Sequence, residues 1–263
     1  MDLQLEGKRV LVTGASKGIG LAVVRAFIAE GASVVATARR STPELAATGA
    51  VFVPADLATA DGPVKLVEAV LGQDPRLDAL VNNAGGGDDR PDGMYEDPFS
   101  GDDDTWANVF ALNLNAAVRT TRAALPALAE ARGSVVNISS SSARAPHTAP
   151  LPYSAAKAAL NAFTRGLAEA TGRAGVRVNA VTPGATRTDL LVGPDGLVAG
   201  MAAHLGVDHA ALVAGLPEQF GMVSGDLVDP GEIARAVVLL SSPAMPSAIG
   251  SNWTVDGGQL KSA

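Results

Sequence analysis

A tyrosine and a lysine four residues apart have the side chains best suited to chemistry in this sequence. Tyr153 and Lys157 lie in a stretch of helical character, residues 152–172, so both side chains project from one helix face. Tyrosine ordinarily ionises near pH ~10, and a fixed ammonium group nearby favours the phenolate. Such a pair can exchange a proton with a substrate oxygen closer to neutral pH. Taken without other motifs, a Tyr and a Lys at this spacing are usually an ordinary helix pair, and acid and base chemistry at Tyr153 is the functional alternative.

A glycine-rich turn near the N-terminus is a second candidate site. The segment Thr13-Gly14-Ala15-Ser16-Lys17-Gly18-Ile19-Gly20 follows a short apolar run and leads directly into a helical stretch. Glycines permit a tight turn and let backbone N–H groups and the positive end of the helix approach a pyrophosphate. A simple strand-to-helix turn is the alternative. The position between a first strand and a first helix favours phosphate binding.

The elements that must position these residues alternate between strand and helix. Short runs rich in β-branched residues predict buried parallel strands at 10–12, 34–36, 51–53, 79–81, 135–138 and 176–181. Helices are predicted at 21–30, 61–71, 103–131, 152–172 and 230–241. Gly31 and Gly72 are expected to end the first two helices in the left-handed conformation. Strict alternation indicates a parallel sheet covered by helices on both faces.

Residues 189–229 depart from this rhythm. A helix is not expected to continue through Gly193-Pro194 or Leu216-Pro217, because proline lacks the N–H that a helix needs. We predict a loop region with one or two short helices. Neither a repeat nor a linker divides the chain, so a single domain over 1–263 is expected.

The composition excludes several classes of function. With no cysteine, disulfides, Cys-ligated zinc, iron–sulfur clusters and a thiolate nucleophile are ruled out, and the three scattered histidines do not indicate a metal site. Twenty basic residues against 27 acidic ones give a net charge of −7, which argues against nucleic acid and anionic membranes as partners. The acidic N-terminus and the lack of about 18 uninterrupted apolar residues predict a cytoplasmic protein.

The negative charge is concentrated in residues 88–104. This segment holds eight acidic residues and one arginine, so the rest of the chain carries 19 basic and 19 acidic groups and is balanced. Its acidic residues are Asp88, Asp89, Asp92, Glu96, Asp97, Asp102, Asp103 and Asp104. Its glycines and prolines favour a solvated surface insert, and a cation- or amine-binding role is the alternative.

The order of the motifs resembles that of the short-chain dehydrogenase/reductase family over essentially the whole chain. The glycine turn has the spacing TGxxxGxG, and it is followed by Asn82-Asn83-Ala84-Gly85, Asn113, Ser140, Tyr153-Ser154-Ala155-Ala156-Lys157, Pro183-Gly184 with Thr188, and Val255-Asp256-Gly257-Gly258. The resemblance implies an α/β Rossmann fold, a doubly wound parallel sheet of seven strands in the order 3-2-1-4-5-6-7. It also implies dinucleotide-binding motifs mainly in 8–85 and a catalytic and substrate part in 103–263.

The resemblance implies a nicotinamide cofactor, and charge predicts which one. An Asp at the end of the second strand would bind the adenosine ribose of NAD and repel the extra phosphate of NADP. Ala38 stands there instead, followed by Arg39 and Arg40, with Lys17 in the glycine turn, so NADP(H) is predicted. The expected cofactor contacts are Gly14, Ser16, Lys17, Gly18, Ile19, Gly20, Arg39, Arg40, Asp56, Leu57, Asn83, Ala84, Gly85, Tyr153, Lys157, Pro183, Gly184 and Thr188.

Two of these assignments have ordinary alternatives. Lys17, Arg39 and Arg40 would otherwise be solvated surface charges. Asp56 resembles the adenine-contacting Asp of the family, and it would otherwise act as a helix N-cap before Asp61.

The resemblance also assigns catalytic roles. Tyr153 would exchange the proton while hydride moves at the nicotinamide, and Lys157 would hold the nicotinamide ribose and, with the positive ring of the oxidised cofactor, favour the phenolate. Ser140 lies thirteen residues before Tyr153, as in the family, and would hydrogen-bond the reacting oxygen. Because strand residues alternate faces, a slip to Ser139 or Ser141 would point the hydroxyl elsewhere.

The remaining site residues are polar positions in apolar surroundings or turns. Asn113 would position a water that relays protons to Lys157, and a buried Asn bonded within the core is a compatible alternative. The segment around Pro183, Gly184 and Thr188 should contact the nicotinamide carboxamide.

The first functional hypothesis is an NADPH-dependent ketoreductase acting on a free small molecule. The substrate would lie between Tyr153 and an apolar lid in 189–229, whose length favours a substrate larger than a simple sugar. A 3-oxoacyl-carrier-protein reductase is the alternative, but the acidic 88–104 segment would repel an acidic carrier protein. A non-catalytic NADP(H)-binding sensor would have little reason to keep Tyr153, Lys157, Ser140 and Asn113 together.

The resemblance further implies a homotetramer or a homodimer. The helices at 103–131 and 152–172 would pack against their copies. Small residues suit such close approach, and the second helix carries them at Ala155, Ala156, Ala158 and Ala159.

Overall fold

Seven parallel strands form one sheet in the part of the chain that the computed structural model describes, residues 1–86, 99 and 101–261. The strands are β1 Arg9–Thr13, β2 Ser33–Ala38, β3 Val51–Pro54, β4 Ala79–Asn82, β5 Ser134–Ile138, β6 Arg177–Pro183 and β7 Asn252–Val255. Their order is β3-β2-β1-β4-β5-β6-β7, which confirms the predicted fold class. Residues 88–98, with five of the acidic side chains, lie outside the described residues.

Ten α-helices cover this sheet within the described ranges. They are α1 Gly18–Ala29, α2 Pro43–Ala46, α3 Gly62–Gln73, α4 Asp103–Phe110, α5 Ala116–Ala131, α6 Leu151–Thr171, α7 Asp189–Val192, α8 Leu197–Leu205, α9 His209–Gln219 and α10 Pro230–Ser241. One apolar core lies between the sheet and helices α1 and α10, and a second between the sheet and helices α3, α5 and α6. In β1, Val10 and Val12 enter the first core and Leu11 the second, because strand side chains alternate faces.

The strand register places the candidate residues at one edge. Val12 of β1 pairs with Val81 of β4, and Asn82 pairs with Asn137 of β5. The carboxyl ends of β1, β4, β5 and β6 therefore meet. A crevice at this edge is where open α/β sheets bind their ligands.

The two glycines predicted to end helices behave differently. Gly31 follows α1 with φ of +77°, as predicted. The prediction for Gly72 was wrong, because α3 continues through it to Gln73. The chain leaves that helix through Asp74 in an extended conformation, so no left-handed residue is needed there.

The long helix predicted at 103–131 is interrupted in the middle. Helix α4 ends at Phe110, a π-helical turn spans Ala111–Asn115, and α5 follows. The wider turn carries Asn113, which is 1% exposed. π-Turns inside helices occur mostly at functional sites, which fits the candidate role of this residue.

The 189–229 region is more helical than predicted. It contains three helices, α7, α8 and α9, where one or two were expected. The break at Gly193-Pro194 is confirmed, but α9 runs through Leu216-Pro217 to Gln219. Pro217 lies in the last turn, where the missing N–H removes a single bond to Val213 and the helix ends soon afterwards.

The two ends of this region are joined at its base. Thr186 forms a β-bridge with Val228, the N–H of Arg187 donates to the Val228 carbonyl over 2.9 Å, and Arg187 pairs with Asp226. No single described helix is long and apolar enough to cross a membrane; the pair formed by 189–205 and 209–219 reaches such a composition only across a bend of 106°.

Candidate active site

The glycine turn packs tightly against the segment that follows β4. A Cβ on Gly14, whose φ is +63°, would lie 2.8 Å from the Cα of Ala84, so a larger residue cannot fit. The Asn83 side chain donates to the carbonyls of Thr13 and Gly14 over 2.9 and 3.0 Å. In return, Thr13 Oγ1 accepts from the N–H groups of Asn83 and Ala84. These hydrogen bonds fix the glycine turn against the segment after β4.

The N-terminus of α1 points out of this turn. Lys17 stands at the N-cap and makes no side-chain capping bond, so the first N–H groups of the helix have no side-chain acceptor there. A Cβ on Gly18 would lie 3.3 Å from Thr188 Cγ2, which brings the segment after β6 beside the glycine turn. The Ser16 carbonyl accepts from Thr42 Oγ1 over 2.8 Å. These features fit a bound pyrophosphate.

The three cations predicted to select the cofactor belong to the glycine turn and to the segment after β2. Lys17, Arg39 and Arg40 are exposed, and their side chains make no hydrogen bond or ion pair with the residues that the structure describes. They therefore retain their donors for an anionic group.

The two predicted cofactor contacts in the segment after β3, Asp56 and Leu57, differ in their exposure. Asp56 is exposed and its carboxylate accepts from the Ala58 N–H over 3.0 Å. The helix N-cap alternative for it was wrong, because α3 begins at Gly62 with Asp61 as its cap. Leu57 is 5% exposed and belongs to the second core, so its side chain does not face a ligand.

Three further predicted cofactor contacts are Ile19 in α1 and the pair Pro183 and Gly184 at the end of β6. Ile19 is half-buried and packs against the first core. Pro183 ends β6, and a Cβ on Gly184 would lie 2.7 Å from the Cα of Asp256 in the turn after β7. This close approach fixes the path of the chain toward Thr188.

Lys157 and Tyr153 face the same side of α6, as predicted. Lys157 is 3% exposed, and its Nζ donates to the Ile138 carbonyl at the end of β5 over 2.9 Å. The Nζ also lies 5.6 Å from the centre of the Tyr153 ring. Burial lowers the pKa of Lys157 to about 8. The ammonium is thus anchored to the sheet beside the tyrosine.

The pKa of Tyr153 shifts in the direction opposite to the one expected from the sequence. Burial raises the pKa of Tyr153 above its usual value, and the Ser140 side chain acts in the opposite direction. Lys157 lies at the ring and donates to Ile138 rather than to the phenol oxygen.

Ser140 is distinguished from its neighbours by exposure. Ser140 is half-buried, whereas Ser139 and Ser141 are 3% and 5% exposed. The Ser139 Oγ has no hydrogen-bond partner among the described residues. Ser141 begins a 3₁₀ turn, Ser141–Ala143, so the strand alternation stops at Ser140. Ser140 is the serine whose hydroxyl acts on Tyr153.

Asn113 clamps the segment after β4. Its Nδ2 donates to the Gly86 carbonyl over 2.8 Å and to the Val109 carbonyl over 2.9 Å, and its Oδ1 accepts from the Gly86 N–H over 3.1 Å. A Cβ on Gly85 would lie 2.8 Å from that oxygen and 3.1 Å from Lys157 Nζ. Asn113 and Lys157 therefore converge on Gly85.

A buried polar chain beneath the site was not foreseen from the sequence. Asn82 Nδ2 donates to Thr121 Oγ1 and to Asn137 Oδ1 over 2.9 and 2.8 Å. Asn137 Nδ2 donates to Thr164 Oγ1 over 2.8 Å. These bonds join β4, β5, α5 and α6. The sequence signal that could have predicted this chain is the presence of Asn82 and Asn137 in otherwise apolar strands.

The fold and this crevice define a class of nucleotide-binding oxidoreductases. Residues 8–193 match the family model described as short chain dehydrogenase. The chain belongs to this family of oxidoreductases, as its motif order predicts.

Relatives match over nearly the whole chain. The uncharacterized oxidoreductase YvrD of Bacillus subtilis (strain 168) is 34% identical over all of both chains. The L-fucose dehydrogenase of Bos taurus is 34% identical, with 98% of this chain and 91% of that protein covered. The structure of L-sorbose reductase from Gluconobacter frateurii, complexed with NADPH and L-sorbose, superposes with a TM-score of 0.88 at 29% identity over all of both chains.

Proposed function

We propose that this protein is an NADPH-dependent reductase that converts a ketone of a free, sugar-like small molecule to a secondary alcohol, or catalyses the reverse reaction. The observation that carries the proposal is the cluster of Tyr153, Lys157 and Ser140 at the carboxyl edge of the sheet, beside the open glycine turn. The cluster supplies a proton donor and a hydrogen-bond donor to one small volume. Reduction of a carbonyl group needs both.

The crevice fits an NADP(H) cofactor, which supplies or accepts the hydride when bound. Backbone N–H groups at Ser16, Gly18 and Gly20 would hold the pyrophosphate. The exposed cations Lys17, Arg39 and Arg40 would bind the phosphate that distinguishes NADP from NAD. The remaining contacts would come from Asp56 at the adenine, from Asn83, Ala84 and Gly85 along the crevice, from Lys157 at the nicotinamide ribose, and from Pro183, Gly184 and Thr188 at the carboxamide.

Proton transfer falls to the side chains at the end of β5 and on α6. Tyr153 gives its phenol proton to the substrate oxygen in reduction and takes it back in oxidation. Ser140 donates a hydrogen bond to the same oxygen and stabilises the charge that develops there. Lys157 keeps a positive charge beside the phenol. Asn113 would position, through its backbone, the water that relays protons to Lys157, because both hydrogens of its side-chain amide are donated to Gly86 and Val109.

A sugar-like substrate is supported by the relatives. The bovine relative is named for L-fucose and the Gluconobacter structure contains L-sorbose. That reductase spans the whole of this chain, including 189–229, so the length of this region does not require a larger substrate. Exposed apolar side chains of this region include Leu190 and Leu205, which would then cover a small polar molecule on one side only.

A spectrophotometric panel tests the proposal. L-Sorbose, L-fucose, an aliphatic 3-oxoester and the same 3-oxoacyl group on a carrier protein would be offered with NADPH or NADP⁺, and absorbance of the reduced cofactor followed. We expect turnover of a free polyhydroxylated compound, with a lower Michaelis constant for NADPH than for NADH. A much higher rate on the carrier-bound ketone, or a preference for NADH, would overturn the proposal.

We further propose a homotetramer or homodimer, formed through α4, α5 and α6. Ala158 is exposed on α6 and Ala155 and Ala159 are half-buried, so they suit close approach of a second copy. Ala156 is fully buried within its own chain, so it cannot contribute. Size-exclusion chromatography with light scattering measures the mass, and a monomer would contradict this assignment.

A further inference from the structure

The hydroxyl of a second serine, Ser142, contacts the hydroxyl of Ser140. Ser142 is 2% exposed and belongs to the 3₁₀ turn Ser141–Ala143. Its Oγ lies 2.9 Å from Ser140 Oγ, and its backbone N–H donates to the same oxygen over 3.2 Å. Two groups of one residue therefore converge on the Ser140 hydroxyl.

The direction of the bond between the two hydroxyls follows from counting donors and acceptors. A hydroxyl has one hydrogen to donate and two sites that accept. If Ser140 donated to Ser142, the hydrogen of Ser142 would lack an acceptor, because its oxygen has no other partner in the described ranges. A buried donor without an acceptor is costly. The arrangement in which Ser142 donates to Ser140 is therefore favoured.

This direction decides where the hydrogen of Ser140 points. The N–H and the hydroxyl of Ser142 fill both accepting sites of Ser140 Oγ, so the remaining hydrogen points away from Ser142. Ser140 is half-buried and its side chain hydrogen-bonds Tyr153, so its free hydrogen faces the phenol oxygen, beside which the reacting oxygen would lie in the proposed reaction. Donation into a hydroxyl also polarises it and strengthens its own donation.

We propose that Ser142 is a positioning residue, which holds the Ser140 hydroxyl with its hydrogen directed at the reacting oxygen. The inference rests on the proposed function, because it needs Ser140 to touch that oxygen. Ser142 itself does not reach the substrate, so its whole effect on the reaction must pass through Ser140.

A double-mutant cycle tests this dependence, with NADPH and whichever panel ketone gives the highest rate. Ser142→Ala is expected to lower kcat about fivefold, the order of one neutral hydrogen bond, with an unchanged Michaelis constant for NADPH. Ser140→Ala is expected to lower kcat about a hundredfold. The double variant should have the kcat of Ser140→Ala alone, because the Ser142 hydroxyl then has nothing left to orient.

Two further variants separate positioning from packing. Ser139→Ala removes a buried hydroxyl that has no partner among the described residues, so it is the matched control and should keep full kcat. Ser142→Cys keeps a weak donor of similar shape and should give a kcat between those of the unsubstituted protein and Ser142→Ala. It also serves if Ser142→Ala does not fold.

The variants distinguish a failure of the inference about Ser142 from a failure of the proposed function. Full kcat in Ser142→Ala, or an equal fold-loss from Ser142→Ala in the presence and absence of Ser140, would overturn the inference about Ser142 alone. Full kcat in Ser140→Ala would overturn the role of Ser140, and with it the proposed chemistry.

Discussion

The two edges of the sheet bury cations in opposite ways. At the amino edge, the Arg177 guanidinium donates to four backbone carbonyls, those of Leu240, Ser241, Ser242 and Met245. At the carboxyl edge, Lys157 is 3% exposed, against 9% for Arg177, but its Nζ makes one described hydrogen bond, to Ile138. An ammonium has three hydrogens, so two are left. Burial alone therefore does not distinguish a structural cation from a functional one; the unused donors do.

Arg9 shows that the pattern at the amino edge is general. Its guanidinium donates to the carbonyls of Val70, Asp74 and Arg76, and it begins β1 just as Arg177 begins β6. Both arginines hold the ends of helices against the sheet. At the opposite edge, Lys17, Arg39 and Arg40 are exposed and unpaired among the described residues. The charge at one edge stabilises the fold, and the charge at the other remains available to a ligand.

The largest effect is expected at the carboxyl edge from Tyr153→Phe. Loss of the proton donor should lower kcat about a thousandfold, the range typical of general acid catalysis. NADPH binding, followed by fluorescence, and the melting temperature should stay unchanged, because the ring is retained. Normal turnover of the panel ketone by this variant would show that Tyr153 is not the acid.

The amino edge should respond in stability instead. Arg177→Met leaves four carbonyls without their donor and should lower the free energy of unfolding by about 3 kcal/mol, measured by urea denaturation. The folded fraction should keep its kcat. Arg165→Met, at an exposed ion pair with Glu169, is the matched control and should cost less than about 1 kcal/mol. Equal losses in the two variants would contradict the comparison.

The exposed cations at the carboxyl edge should control cofactor choice. Replacement of both Arg39 and Arg40 by Ala is expected to raise the Michaelis constant for NADPH about tenfold, since charge-assisted bonds to the phosphate are lost. The constant for NADH should change little. Arg173→Ala removes an exposed arginine from the amino edge and should affect neither cofactor. A parallel rise for NADPH and NADH would refute phosphate recognition.

The smallest predicted effect is a pH dependence of NADPH binding. The pKa of Lys157 is lowered to about 8 by burial, so the side chain is an ammonium below this pH and a neutral amine above it. Between pH 7 and 8.5 the dissociation constant should rise about fourfold as the charged form is lost. Lys157→Met should bind more weakly and show no such rise. A constant that is flat in the unsubstituted protein would contradict a role of the ammonium in binding.

The sequence patterns were reliable where one local property sufficed. Apolar runs located six of the seven strands, and the alternation with helices predicted a parallel sheet. The helix between 103 and 131 was found as well, but its π-turn at Asn113 was not, because propensity does not register one inserted residue. The predicted helix ends at Gly72 and before Pro217 were wrong for a similar reason. Glycine and proline end helices on average, but here the helix continues through each of them.

The candidate site divides in the same way. Residue spacing predicted that Tyr153 and Lys157 share one helix face, and the order of the motifs along the chain made this pair and the glycine turn the candidate site. The Asn113 clamp on Gly86, the polar chain from Asn82 to Thr164 and the contact of Ser142 with Ser140 involve partners 2 to 55 residues apart or on different elements. Spacing cannot predict such contacts, because they depend on how elements pack.

The sequence by itself determined the class of the protein, its sheet order and the candidate side chains for proton transfer. Only the tertiary structure decided the state of those side chains. Burial raises the pKa of Tyr153 and lowers that of Lys157, and the Ser142 hydroxyl hydrogen-bonds Ser140, the serine that acts on Tyr153. The physical reason is that residue types carry intrinsic donors, acceptors and pKa values, whereas desolvation and hydrogen-bond direction arise only when distant segments exclude water together.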